Sequence, residues 1–177
     1  MRYRVVRKQQ NSRMCLVCGL KNDLSLAASF YELENGELLA VFRPGAIHQS
    51  YPGRLHGGMI STILDETIGR AIMISHDQKF WGVTIEISVR FRKPVPLDCE
   101  LRVIGRITRD TSRIFEGTGE LLLPDGSIAA EARGRYMKMD LAEIADFDRA
   151  EQEWQVVHRS EDPEYVEIAD RAEEHRP

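Results

Sequence analysis

At 177 residues, with 42% hydrophobic and 29% charged residues and a formal net charge of −4, the chain is sized for one globular core with appendages. No apolar run reaches the ~18 residues of a membrane helix, and the opening MRYRVVRKQQNSR has no apolar stretch behind its basic residues, so no secretory signal or membrane association is expected and the cytoplasm is the expected compartment. Cys15, Cys18 and Cys99 are too sparse, and odd in number, for a secreted disulfide framework.

Charge divides the chain. Residues 141–177 hold twelve acids against four bases, net −8, which leaves residues 1–140 at +4. A mildly basic body suits an anionic ligand, but its cations are scattered rather than gathered in a stripe, so nucleic-acid binding is not expected.

Residues 1–23 read as an N-terminal segment carrying the loop Cys15-Leu16-Val17-Cys18-Gly19. One Cys-x-x-Cys lacks the two further ligands that four-coordinate zinc needs, so a turn with two half-buried thiols is expected there and no metal. Residues 24–32 and 37–42 are apolar-rich runs joined through Asn35-Gly36, a hairpin signal.

The segment HQSYPGRLHGGMISTILDETIG, residues 48–69, is closest to chemistry. After a Pro52-Gly53 turn, Gly57 and Gly58 open a run of helical spacing over residues 59–75. A helix N-terminus bare of side chains offers free N–H groups and the positive end of the dipole to a carbonyl oxygen or an oxyanion. Gly58, Ser61, Thr62, Asp65 and Gly69 form one small and polar stripe. Met59, Ile60, Ile63, Leu64, Ile68, Ala71 and Ile72 flank it, so the helix is expected to be buried, with Asp65 interrupting an apolar surface. Gly57 and Asp65 lie eight residues apart, about 12 Å along one helix, too far to share a site within one chain. Two antiparallel copies of the helix across a two-fold axis bring them together, which predicts an obligate homodimer with composite sites.

In residues 82–92, Val83, Ile85, Ile87, Val89 and Phe91 alternate with Thr84, Glu86, Ser88 and Arg90, a strand with one buried face. Strands at 100–108, 113–123 and 127–139 follow, the last two joined by Pro124-Asp125-Gly126. The acidic tail, 141–177, is expected to be partly helical, packed on the body or across subunits, with an end that frays from Ser160. Domain limits are therefore set at 1–23, 24–140 and 141–177.

An antiparallel sheet wrapped around one long helix is an α+β hotdog architecture. The stretches GRLHGGMISTILDETIG, GVTIEISVRFRKPVP and PDGSIAAEARGRY resemble the hotdog thioesterases of the phenylacetate-degradation and 4-hydroxybenzoyl-CoA type, across about residues 14–139. The resemblance implies a homodimer or a dimer of dimers that hydrolyses an acyl-CoA thioester without a cofactor. By the same resemblance the oxyanion donor is the Gly57 N–H beside Gly58, with His56 supporting it. Asp65 is general base or attacking carboxylate, and Thr84 positions water. Some members of that family place an Asn six residues before the His; here that position is Ser50, with Gln49 beside it, and either can donate to the thioester carbonyl. Arg90, Arg92 and Lys93 are candidates for the CoA phosphates, since guanidinium forks suit phosphate. Two other readings stand beside hydrolysis: a non-catalytic acyl-CoA or lipid-binding hotdog, which would not need Asp65, and a hotdog hydratase, whose Asp/His motif is not found.

Overall fold

The computed structural model describes residues 1–77 and 79–168. One long helix, α1 (Gly57–Ser75), lies against an antiparallel sheet of β1 (Arg2–Lys8), β2 (Ser29–Leu33), β3 (Leu38–Phe42), β4 (Trp81–Phe91), β5 (Leu101–Asp110), β6 (Ile114–Leu122), β7 (Ile128–Met139) and β8 (Tyr165–Glu167). The strands run in the order β4-β7-β6-β5-β3-β2-β1-β8. The helix packs on β3 to β7 and buries Ile60, Ile63, Leu64, Ile68, Ala71, Ile72 and Met73, as the apolar spacing requires. Each such large side chain removed from water contributes about 1.5–3 kcal/mol.

Residues 24–28, expected as strand, run irregularly into a shorter β2, and Ala27 has a positive φ of 48°. Asn35-Gly36 does make the turn between β2 and β3, with Gly36 at φ 81°. The ends of the chain depart further from expectation. The N-terminal segment supplies β1, which pairs with β2 on one side and with β8 on the other. The tail beyond Ser160, expected to fray, returns to the sheet as far as it is described: Val166 and Ile168 close a second apolar layer over Tyr31, Leu39, Ile104, Leu122 and Ile128. Asp162 accepts from Lys8 Nζ at 2.6 Å and Tyr31 Oη at 2.8 Å. The tail's helix is α2 (Leu141–Ile144), four residues long, and Trp154 is stacked on Phe147 and edge-on to Trp81. The remainder of the expected tail, 169–177, lies outside the described residues.

Two local devices shape the sheet beside α1. Thr84 pairs with Tyr136 and Glu86 with Arg135, so Ile85 is one extra residue in β4, a bulge. Beyond it Ile87 and Val89 pack on the core while Glu86, Ser88 and Arg90 face away; before it Thr84, not Val83, faces the helix. The simple alternation of β4 is therefore two half-patterns joined out of phase, and Ile85 is left 48% exposed.

The second device is a recess for one ring. Tyr136 is fully buried and stacked on Phe115 with centroids 4.9 Å apart. A Cβ on Gly134 would lie 2.5 Å from the Tyr136 Oη, one on Gly82 would lie 2.6 Å from Phe115 Cζ, and one on Gly69 would touch the Tyr136 ring at 3.4 Å. Gly134→Ala is therefore expected to overpack the core and cost about 1–3 kcal/mol. The check is a lower urea midpoint at unchanged slope.

Candidate active site

The approach to α1 is fixed by short-range hydrogen bonds. Gly53, at φ 73°, turns the chain, and its N–H donates to Gln49 Oε1 at 2.8 Å. Ser50 N–H reaches Arg54 O at 2.9 Å and His56 N–H reaches His48 O at 2.9 Å. His48, buried, ties this loop to the body: its Nδ1 accepts from Gly45 N–H at 3.1 Å, which leaves Nε2–H to donate to Leu24 O at 3.0 Å.

His56 is the N-cap of α1. Its Nδ1 accepts from Gly58 N–H at 2.9 Å, so the neutral ring carries its proton on Nε2. Gly58's N–H is thereby satisfied. The Gly57 N–H meets no acceptor among the described residues, and a Cβ there would face the Phe91 ring at 3.6 Å. Gln49, Ser50, His56, Gly57 and Gly58 thus cluster at one end of the helix.

Two turns along α1, Asp65 forms a second cluster. Thr84 Oγ1 donates to its carboxylate, 3.0 Å from Oδ1 and 3.1 Å from Oδ2, and Tyr136 Oη donates to Oδ1 at 3.1 Å and to the Asp65 carbonyl at 3.3 Å. Burial pushes the Asp65 carboxyl above the usual carboxylate range, and the Thr84 and Tyr136 hydroxyls pull it back part of the way. The Tyr136 hydroxyl is itself driven well up by burial and by the Asp65 charge, so it stays a proton donor to the carboxylate. The Thr84 proton is shared between Oδ1 and Oδ2, and Tyr136 adds a second donor at Oδ1 only. Oδ2 is the less engaged oxygen of this acid.

Tyr136 closes the stretch PDGSIAAEARGRY that carries the resemblance, but no role was expected of it. In GRYMKM it stands as one more alternating residue of a strand, and only the glycines around it hint at a ring with a fixed seat. The cations divide differently from expectation. Arg90 lines a depression on the far side of the sheet with Arg106, Glu120 and Arg133, away from α1, and Arg92 is paired with Glu131 at 2.7 Å. Lys93, at the end of β4, donates its N–H to Ala129 O at 3.0 Å. The structure therefore unites Asp65 with Thr84 and, separately, the residues of the helix start. Within one chain these clusters remain about 12 Å apart.

Residues 52–130 match the family model described as Thioesterase superfamily. The fold is a hotdog, and residues 52–130 are similar to the thioesterase superfamily. A crystallised thioesterase superfamily protein aligns with it at TM-score 0.64 and 25% identity, over 71% of this chain and 60% of that one. A Streptococcus mutans protein solved bound to acetyl CoA aligns at TM-score 0.53 and 22% identity, over 59% of this chain and 82% of that one. Among curated proteins, the acyl-coenzyme A thioesterase THEM4 of Xenopus laevis is 26% identical over 112 residues, 62% of this chain and 49% of that protein. The chain thus spans about half the length of that relative. The matched residues take in α1, β4, β5, β6 and the start of β7. No helix among the described residues is long and apolar enough to cross a membrane.

Proposed function

We propose that this hotdog domain hydrolyses acyl-CoA thioesters at a site shared between two copies of the chain. The observation that carries the reading is Asp65: a half-buried carboxylate, held by Thr84 through both oxygens and by Tyr136 through Oδ1 alone. Its raised pKa suits a group that takes a proton from water, and the less engaged oxygen suits attack on the thioester carbonyl. Both routes use the ionised form. The neighbour bound to acetyl CoA and the relative named an acyl-coenzyme A thioesterase support the substrate class.

The oxyanion is assigned to the Gly57 N–H of the second copy, aided by the dipole of its α1, with His56 holding Gly58 and Gln49 or Ser50 able to donate to the thioester. A dimer is supported by the exposed end of the sheet: among the described residues β4 has no partner on its outer side, and Ile85, Phe91 and Met137 are 48%, 54% and 44% exposed. Such an apolar edge is a surface that chains ordinarily cover. Arg92 and Lys93, just beyond Phe91, are assigned to the CoA phosphates, and Arg90 to solvent or a more distant part of the ligand.

The direct test is a spectrophotometric panel of short, medium, long and aryl CoA thioesters with detection of the released thiol. Turnover of at least one class supports the reading. Saturable binding without thiol release points to a non-catalytic acyl-CoA binder instead. A finer expectation concerns pH. Thr84 stabilises the Asp65 carboxylate, so Thr84→Val raises the Asp65 pKa further, and the acid limb of kcat/KM moves to higher pH. An unshifted limb would remove Thr84 from the site.

A further inference from the structure

Behind α1, one residue beyond Asp65, lies a cluster the hydrolytic site does not use. The sulfurs of Cys15 and Cys18 and a carboxylate oxygen of Glu66 lie within 4.8 Å of one another. The loop that carries them is well anchored: Asn11 Nδ2 donates to Cys18 O at 2.9 Å and to Ala28 O at 3.0 Å, and Gly19 N–H donates to Cys15 O at 2.9 Å. Cys15 Sγ receives the Val17 N–H at 3.3 Å and the Cys18 N–H at 3.5 Å. Two backbone donors aimed at one sulfur favour a thiolate.

Arg70 decides between two uses of such a cluster. Its buried guanidinium donates to Glu66 Oε1 at 2.7 Å, Gln10 O at 3.0 Å and Cys18 Sγ at 3.1 Å, and lies 4.4 Å from the centre of the Phe30 ring. A permanent cation already serves the two groups that a metal ion would need as second and third ligands. Arg70 stands where a divalent cation would have to sit, and its contact with the Cys18 sulfur favours loss of that thiol's proton. Cys15 remains partly exposed while Cys18 is 1% exposed.

We propose that Cys15 and Cys18 form a peroxide-reactive dithiol, with Cys15 the nucleophile and Cys18 the resolving thiol. The Cys15 thiolate attacks one peroxide oxygen; the O–O bond breaks, and the departing hydroxide is protonated to water, leaving Cys15 as sulfenic acid. Cys18 then gives up its proton under the influence of Arg70 and attacks the Cys15 sulfur. The S–S bond forms, the S–O bond breaks, and the hydroxyl leaves as a second water. Two thiols are oxidised to one disulfide and hydrogen peroxide is reduced to two waters. The direction of the two acidities agrees: the hydrogen bond from Cys18 draws the Cys15 thiol down, and the same bond with burial holds Cys18 up. The site is independent of thioester hydrolysis and stands whether or not Asp65 is catalytic.

The test uses the full chain, reduced and then freed of reductant. At pH 7, Cys15 is expected to react with iodoacetamide at least about tenfold faster than Cys99, the internal reference, because the thiolate is the nucleophile. An equimolar amount of hydrogen peroxide should yield a Cys15–Cys18 disulfide by peptide mapping, reversed by dithiothreitol. In Cys18→Ser the reaction should halt at a sulfenic acid on Cys15, trapped by dimedone. Because Cys18→Ser places a hydroxyl in a buried site, the wild-type alkylation and peroxide results decide alone should that variant misfold. Equal alkylation of Cys15 and Cys99 with no disulfide formed overturns the proposal. So does stoichiometric zinc in the isolated chain that shields both thiols until a chelator removes it.

Discussion

Asp65→Asn is expected to lower kcat for acyl-CoA hydrolysis by at least about a hundredfold, the lower end of what one acid-base group contributes. The amide keeps the shape and still accepts from Thr84 and Tyr136, but it has no carboxylate to take a proton or to attack. The fold should survive the change. In the folded chain burial holds the Asp65 pKa above its usual value, so the stability its protonated form gives is complete below the unfolded pKa and lost as pH rises through the folded one. At neutral pH the wild-type carboxylate is therefore a burden on stability, and the Asn variant should melt no lower than wild type. Near wild-type turnover by Asp65→Asn would make this acid structural and favour the binding reading.

The second large effect tests where the oxyanion donor comes from. Gly57→Pro removes the N–H assigned to the oxyanion and, like Asp65→Asn, should be inactive as a homodimer. A mixed dimer of the two variants holds one site with both lesions and one with neither. Separately tagged and purified, it should recover about half of the wild-type activity per dimer. Light scattering must first show that the variants associate, and circular dichroism that Gly57→Pro keeps its helix. Folded mixed dimers without activity, or a fully active monomer, would separate Gly57 and Asp65 into unrelated roles.

The helix and the inner strands were legible because their signals are local. The spacing of Ile60, Ile63, Leu64 and Ile68 makes a helix wherever it is placed, and Asn35-Gly36 turns a chain without outside help. Asp65 stood out because an acid within that apolar run needs a reason. Thr84 was reached through family resemblance alone: by alternation it belongs with Glu86 and Ser88, on the wrong face, and the extra residue at Ile85 that reverses its side leaves no mark in composition. Tyr136 was passed over because an aromatic in a strand is common, and its partner is a carboxylate 71 positions away. The outer strands were missed for a similar reason. Tyr3 and Val5 alternate among arginines, and β8 has three residues; each becomes a strand only when the other and β2 are beside it.

The seat of Tyr136 also constrains the order in which this chain can change. Gly69, Gly82 and Gly134 come from a helix and two strands; the Tyr136–Phe115 ring stack denies a side chain to the last two and would touch one at the first. While the rings remain, an alanine at Gly134 or Gly82 is penalised; once Tyr136 has shrunk to a small residue, an alanine at Gly134 fills space that the ring has vacated. The sign of the glycine substitution is then set by what already occupies position 136, a non-additivity expected of residues in direct contact. A lineage that lost the tyrosine first could fill the recess afterwards, and with its glycine gone the way back to a hydroxyl on Asp65 would be closed.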